Sequence, residues 1–271
     1  MPGFNPENIN IHDLTVEEPE KRSELLFDSE RDITKEDWES MNKTLEYCRQ
    51  EKDLHNFCQY AMGMKILNPG TDIKFDEATA QGVQELLKIY INSSNWYGLS
   101  KSAMNVKIIN PELDLGLDET TWENMKLRLA DKRSNNDWFY YSDQAMSMRI
   151  LDPEVDLGID ASVEREMQEI LKDAKNRKNW RDFAWEASAM KVLDQNVDLN
   201  LDEVAWRGMK ENLESYRIGG NWHDFLSQAM KIKILAAKEV KITDKGLELI
   251  MPEKKGILQT ETLSMPETRD F

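Results

Sequence analysis

Apolar residues recur along this chain at three- and four-residue steps, in two stripes that return every 42 residues. Steps of three and four place side chains on one face of an α-helix. One stripe runs through Trp122, Met125 and Leu129. Its counterparts are Trp38, Met41, Leu45; Ala80, Val83, Leu87; Glu164, Met167, Leu171; and Trp206, Met209, Leu213. The other stripe centres on an alanine column, Ala61, Ala103, Ala145, Ala187 and Ala229, in five copies without a gap. Seven residues earlier stand Leu54, Trp96, Trp138, Trp180 and Trp222; five later stand Ile66, Ile108, Ile150, Val192 and Ile234. One stripe per helix predicts one buried face per helix.

Polar residues mark where these helices begin. Thr34, Asp76, Asp118, Asp160, Asp202 and Asp244 precede the first stripe, and Asp53, Asn95, Asp137, Asn179 and Asn221 precede the second. Thr, Asp and Asn side chains accept the free backbone N–H groups of a helix start, so both columns read as N-caps. The expected units are 34–75, 76–117, 118–159, 160–201 and 202–243, with a partial sixth at 244–251. An acidic arm, 1–33, precedes them, with nine acidic and three basic residues and a short capping helix expected at 20–27. A polar tail, 252–271, follows. In it Leu263, Met265 and Phe271 are candidates for a linear motif read by another protein.

The expected fold is therefore all-α: an α-solenoid of unspecified or right-handed superhelix, made of five 42-residue two-helix repeats plus a partial C-terminal unit. A helix pair cannot bury its stripes alone, and stacking on its neighbours does so. At about 10 Å per layer, five layers make an open rod or arc of roughly 50 Å. The period and the helix pairs resemble α-solenoids of the HEAT and armadillo kind over about residues 34–251, although an armadillo unit has three helices and this one has two. A tetratricopeptide step of about 34 residues does not fit. A propeller would need strand alternation and more than the 12 glycines present. The resemblance implies a protein-binding or assembly role.

The junctions between units invite another reading. Residues 152–160, "DPEVDLGID", alternate acidic positions as a calcium loop does. A loop of the EF-hand type needs glycine at its sixth position and glutamate at its twelfth. Leu157 and Val163 stand there instead. The alternative is a structural junction: Pro153 stops one helix, Leu157 and Ile159 tuck beneath the layer, and Asp160 caps the next helix.

Charge narrows the partners. The chain of 271 residues carries 35 basic and 51 acidic side chains, net −16, which disfavours a nucleic-acid surface. No window of eighteen uncharged apolar residues points to a membrane span, and no basic-then-apolar start points to a secretory signal. Cys48 and Cys58 are too few for a disulfide framework and suggest a reducing, cytoplasmic setting. Their columns hold small or apolar residues, so packing is their expected role. His12, His55 and His223 show no zinc spacing, and the last two are expected on the exposed side of their helices. The methionines, 14 in all, mostly fill stripe positions as adaptable core.

Two basic columns stand out. Lys65, Lys107, Arg149, Lys191 and Lys233 form a candidate ladder for an acidic partner, although charge in the last turn also complements the helix dipole. Arg49, Arg133, Lys175 and Arg217 form a second column, broken by Ile91. With no catalytic motif present and no cofactor or metal implied, the expected function is a non-enzymatic protein-binding scaffold or adaptor. The alternatives are self-assembly and, less favoured, an enzyme with a pocket in the curve of the solenoid. Glu164 is the sharpest break in the first stripe, and its water-facing reading makes it unremarkable.

Overall fold

The computed structural model describes residues 32–252. The expectations on the N-terminal arm, its short helix and His12, and on the tail from residue 253, lie outside them. Ten α-helices follow in five pairs: α1 (Lys35–Gln50) and α2 (Leu54–Leu67); α3 (Glu77–Asn92) and α4 (Trp96–Ile109); α5 (Glu119–Ser134) and α6 (Trp138–Leu151); α7 (Ala161–Asn176) and α8 (Trp180–Leu193); α9 (Glu203–Ile218) and α10 (Trp222–Ala236). A hairpin, β1 (Glu239–Thr243) and β2 (Gly246–Ile250), completes the described chain. The described residues are thus all-helical apart from one two-stranded sheet.

The expected caps make these helices start where they do. Asp76, Asp118 and Asp202 accept from the backbone N–H three residues on at 2.8, 2.8 and 2.9 Å. Thr34 and Asp37 form a reciprocal capping box. Asn95, Asn179 and Asn221 cap the second helices in the same way. Asp137 does not; its carboxylate accepts from Lys132 instead, at 2.5 Å. Between the two helices of each pair one residue takes a left-handed backbone: Lys52, Ser94, Asn136, Lys178 and Gly220, again 42 apart.

The junction 152–160 is plain structure. Asp152 and Asp156 each accept from a backbone N–H two residues on, at 2.9 Å, and Asp160 caps α7. Leu157 is buried and Ile159 half-buried.

The helices are not all alike. The first of each pair buries one stripe, as expected: Met125 and Leu129 in α5, for example. The second helices are buried nearly all round, which overturns the expectation of one face. In α8 every residue from Phe183 to Val192 is buried. A helix buried on all sides lies inside other helices. The contacts show how: α2 packs on α4, α4 on α6, α6 on α8, α8 on α10, and α10 on α2. The five second helices close into an inner ring, and the first helices surround it. This differs from an open rod or arc. The signals within one unit fix how it stacks on the next, but not the angle between layers that returns the fifth to the first.

One ion-pair column records the closure. Arg49 reaches Asp76 (3.2 Å), Arg133 reaches Asp160 (2.8 Å) and Lys175 reaches Asp202 (2.7 Å), each basic group binding the cap of the next unit. Arg217 belongs to the last unit and reaches Asp37 of the first, at 3.4 Å. Ile91 leaves the remaining rung empty of such a pair.

The expected sixth helix at Asp244 is instead the turn of the hairpin. Val240 and Ile242 alternate with polar residues, as do Leu247 and Leu249, and that period of two is a strand pattern. Gly246 takes φ +96°, which only glycine adopts cheaply. The strands pack on α4 and α6, across the end of the ring where the inner helices finish.

Candidate functional site on the ring axis

A helix inside a ring has a face toward the outer helices, flanks toward its ring neighbours, and a face toward the axis. The alanine column is fully buried in all five copies. Two residues before it the repeat breaks down completely: Gln59, Lys101, Asp143, Trp185 and Ser227 are five different side chains at one position of the unit. All five line a single small cavity, with about 20 Å³ of room for the centre of a water molecule, together with Met62, Met104, Met146, Met230, Tyr60, Leu226, His223 and Lys231. Along α10 the cavity runs from His223 in the first turn to Lys231 eight residues on, about 12 Å deeper at 1.5 Å per residue.

The polar groups in this cavity are bonded to one another. Asp143, only 2% exposed, accepts from Tyr97 Oη at 2.6 Å and from Lys101 Nζ at 3.0 Å. Burial, followed by that carboxylate, pushes the Tyr97 phenol far up and keeps its proton in place. Trp185 sits between two amines: Lys101 Nζ is 4.4 Å from its ring centroid and Lys231 Nζ is 3.5 Å. Lys231 Nζ also donates to Ser227 Oγ at 2.6 Å. It forms no ion pair among the described residues, and burial, with Lys101 adding to it, drives its pKa well below the ordinary lysine value.

Glu186 lies beside this group, 1% exposed, and neither carboxyl oxygen has a hydrogen-bond partner among the described residues. The nearby Ser142 hydroxyl donates to the Phe139 carbonyl at 3.1 Å. Burial, reinforced by Asp143 and Asp182 and only partly opposed by Ser142, raises the Glu186 pKa to about 8. Glu186 is therefore a neutral carboxylic acid at neutral pH.

The histidines are a correction to the sequence reading. His55 and His223 are half-buried rather than exposed. Tyr90 Oη and Ser102 Oγ lie 3.0 and 3.3 Å from His55 Nδ1, and His223 packs edge-on against Tyr60. His223 lines the axial cavity and His55 lies against the next unit, so both are covered on sides that a helix with one buried stripe would leave open. Burial lowers both pKa values, so both rings are neutral near pH 7.

The basic ladder lies elsewhere, in the last turns of the inner helices. Lys65 donates to the Thr71 carbonyl (3.2 Å), Arg149 to Pro153 (2.5 Å) and Lys233 to Leu67 (2.6 Å). Lys191 is buried and donates to the Leu235 and Ala237 carbonyls, the second at 2.5 Å; burial lowers its pKa to about 8. Lys107 is half-buried at the same level. Cys48 and Cys58 are buried, and burial raises the Cys58 thiol to about 12, as an inert packing residue requires. Glu164 is exposed on α7, in keeping with its water-facing reading.

Sequence reasoning missed Lys101, Asp143, Trp185, Glu186 and Lys231. A partial signal was available: at the position two before the alanine, five copies give a cation, an anion, an indole, an amide and a hydroxyl, although the columns on either side vary as well. Compared with known family models, curated proteins and solved structures, the chain matches none.

Proposed function

We propose that the protein binds a small molecule on the axis of its ring, without turning it over. One observation carries this reading. Five equivalent positions hold Gln59, Lys101, Asp143, Trp185 and Ser227, and all five line one cavity. An amide, a cation, an anion, an indole and a hydroxyl turned onto one space supply more chemistry than packing requires. Four methionines supply an adaptable apolar wall, and the Lys101–Asp143 pair with Lys231 supplies the polar end. In the same reading the fold is a HEAT-like helical repeat closed on itself. Closure occupies the faces that an open array would offer to a second copy of the chain.

The test is a thermal-shift screen of small polar-headed apolar compounds against the protein and its Met104→Trp variant, whose indole fills the cavity. A ligand at about 100 times its Kd adds about 2.7 kcal/mol and raises Tm by several degrees. Hits that shift the parent and spare the variant support the reading; equal shifts in both, or none in either, refute it.

The scaffold reading, a protein bound on the outer surface, has one observation in its favour. Tyr47 and Ile89 occupy the same column of adjacent outer helices, 42 residues apart, and are 63% and 59% exposed. A partner captured by the parent and lost from the Tyr47→Glu, Ile89→Glu double variant would favour it.

A further inference from the structure

We propose that the axial pocket captures a small carbonyl compound as an imine on Lys231. The proposal rests on the axial pocket being the ligand site and adds the chemical class of the ligand.

The argument begins with charge. The cavity holds one carboxylate, Asp143, already matched by the Lys101 ammonium and the Tyr97 hydroxyl. Glu186, next to it, is protonated at neutral pH. A second ammonium at Lys231 has no counter-ion left, and the side chain is only 2% exposed to water. A buried amine in that position is stable as the free base, and the free base is the nucleophile. The neighbouring Lys101 acts in the same direction, one cation disfavouring another across Trp185.

The surroundings suit the product. Attack by the Nζ lone pair forms the C–N bond as the carbonyl π pair moves onto oxygen. A proton then passes from nitrogen to that oxygen, and Ser227 Oγ, 2.6 Å away, is placed to relay it. A second proton transfer expels water as the C=N bond forms. One carbonyl and one primary amine give one imine and one water, with no oxidant or reductant. The Trp185 ring, its centroid 3.5 Å from Nζ, is positioned to stack on the neutral, planar C=N group. Met62, Met104, Met146 and Met230 keep bulk water away from a bond that water would hydrolyse. The cavity has only about 20 Å³ of room for the centre of a water molecule, so the captured molecule is small.

A second lysine provides the control. Lys191 is also buried and also has a lowered pKa, but its amine donates to two backbone carbonyls and it does not line the cavity. Basicity alone would make the two lysines alike; the pocket separates them.

The experiment treats the intact protein near pH 7 with propanal and sodium cyanoborohydride, which reduces imines to stable propyl-lysines. Peptide mass spectrometry follows each site with time. Lys231 is expected to label several-fold faster than Lys35, which is 84% exposed, since a lowered pKa leaves more of the amine free near pH 7. Lys191 is expected to lag behind Lys231, and Lys231→Met to lose the fast phase with the other sites unchanged. Labelling of Lys231 no faster than Lys35 overturns the proposal, and the parent alone decides this even if the variant fails to fold. Propanal without reductant separates the two failures. A fluorescence change absent from Trp185→Phe, with no adduct, removes the imine and keeps the pocket; neither signal removes both.

Discussion

The alanine column and the column two residues before it lie on the same five helices and obey opposite rules. Ala61, Ala103, Ala145, Ala187 and Ala229 are identical and fully buried. Gln59, Lys101, Asp143, Trp185 and Ser227 are all different and converge on one cavity. The first column meets the same packing problem five times and has one solution. The second meets a single shared space, where five copies of one side chain would crowd or repel one another: five lysines on the axis would be five unpaired cations. In this ring the one column identical in every unit is closely packed, and the column that spans a cation, an anion and an indole faces the centre.

The strongest way to break this comparison is to treat the repeating column as tolerant. Ala145→Leu adds three carbons where no space exists. Overpacking of this kind typically costs about 1–3 kcal/mol, and we expect the upper end because two ring neighbours must move. Urea denaturation measures it. A cost below about 1 kcal/mol would mean that the alanine column is not a close contact.

Glu186 sharpens the contrast, since it is a charge-bearing residue kept neutral beside the axis. Its folded pKa is raised to about 8, above an ordinary value of 4.5. Its stabilising contribution is therefore full below pH 4.5 and is lost as pH rises through about 8. The loss runs at up to about 1.4 kcal/mol per pH unit. Between about pH 6 and pH 8 the parent should lose roughly 2 kcal/mol relative to Glu186→Gln. The difference between the two proteins isolates this residue. His55, His223 and Lys191, with lowered pKa values, push the other way in both. Parallel curves would place an ionised carboxylate at Glu186 and a charge beside it that the structure does not contain.

A smaller effect tests the contact between layers directly. A Cβ at Gly208 in α9 would meet the Trp180 indole at 2.1 Å, and that ring is itself pressed against Phe183. Gly→Ala within a helix normally stabilises by roughly 0.5–1 kcal/mol. Here we expect the sign to reverse, to a loss of about 1–2 kcal/mol. A gain in stability would show that Trp180 is free to move away.

Much of this fold was legible because local chemistry encodes it. The Asx caps and the three-four stripes fix ten helices, and the cap columns are bonded as read at nine of eleven positions, Asp137 and Asp244 being the exceptions. Closure of the ring was not legible, because curvature is a small angle summed over five layers and no single residue carries it. The hairpin was misread because Asp244 imitates a cap, while the alternation of Val240, Ile242, Leu247 and Leu249 spoke for strands. The axial site was hidden for a different reason. Pattern searches reward recurrence, and Lys101, Asp143 and Lys231 are informative because they do not recur.

The smallest predicted effect bears on the ring itself. Arg133–Asp160 joins neighbouring layers, whereas Arg217–Asp37 joins the last layer to the first. Both pairs are partly exposed, so double-mutant cycles should give each a small coupling of similar size, reduced by salt. Equal couplings mean that the ring is closed in solution, because an open arc would hold Arg217 and Asp37 far apart. A coupling at Arg133–Asp160 with none at Arg217–Asp37 would mean that the ring opens between α10 and α2. The axial cavity would then open along its length, since Gly63 and Leu226 meet across that same seam. The site and the closure therefore stand together: a pocket that depends on five different side chains meeting on one axis exists only while the fifth layer touches the first.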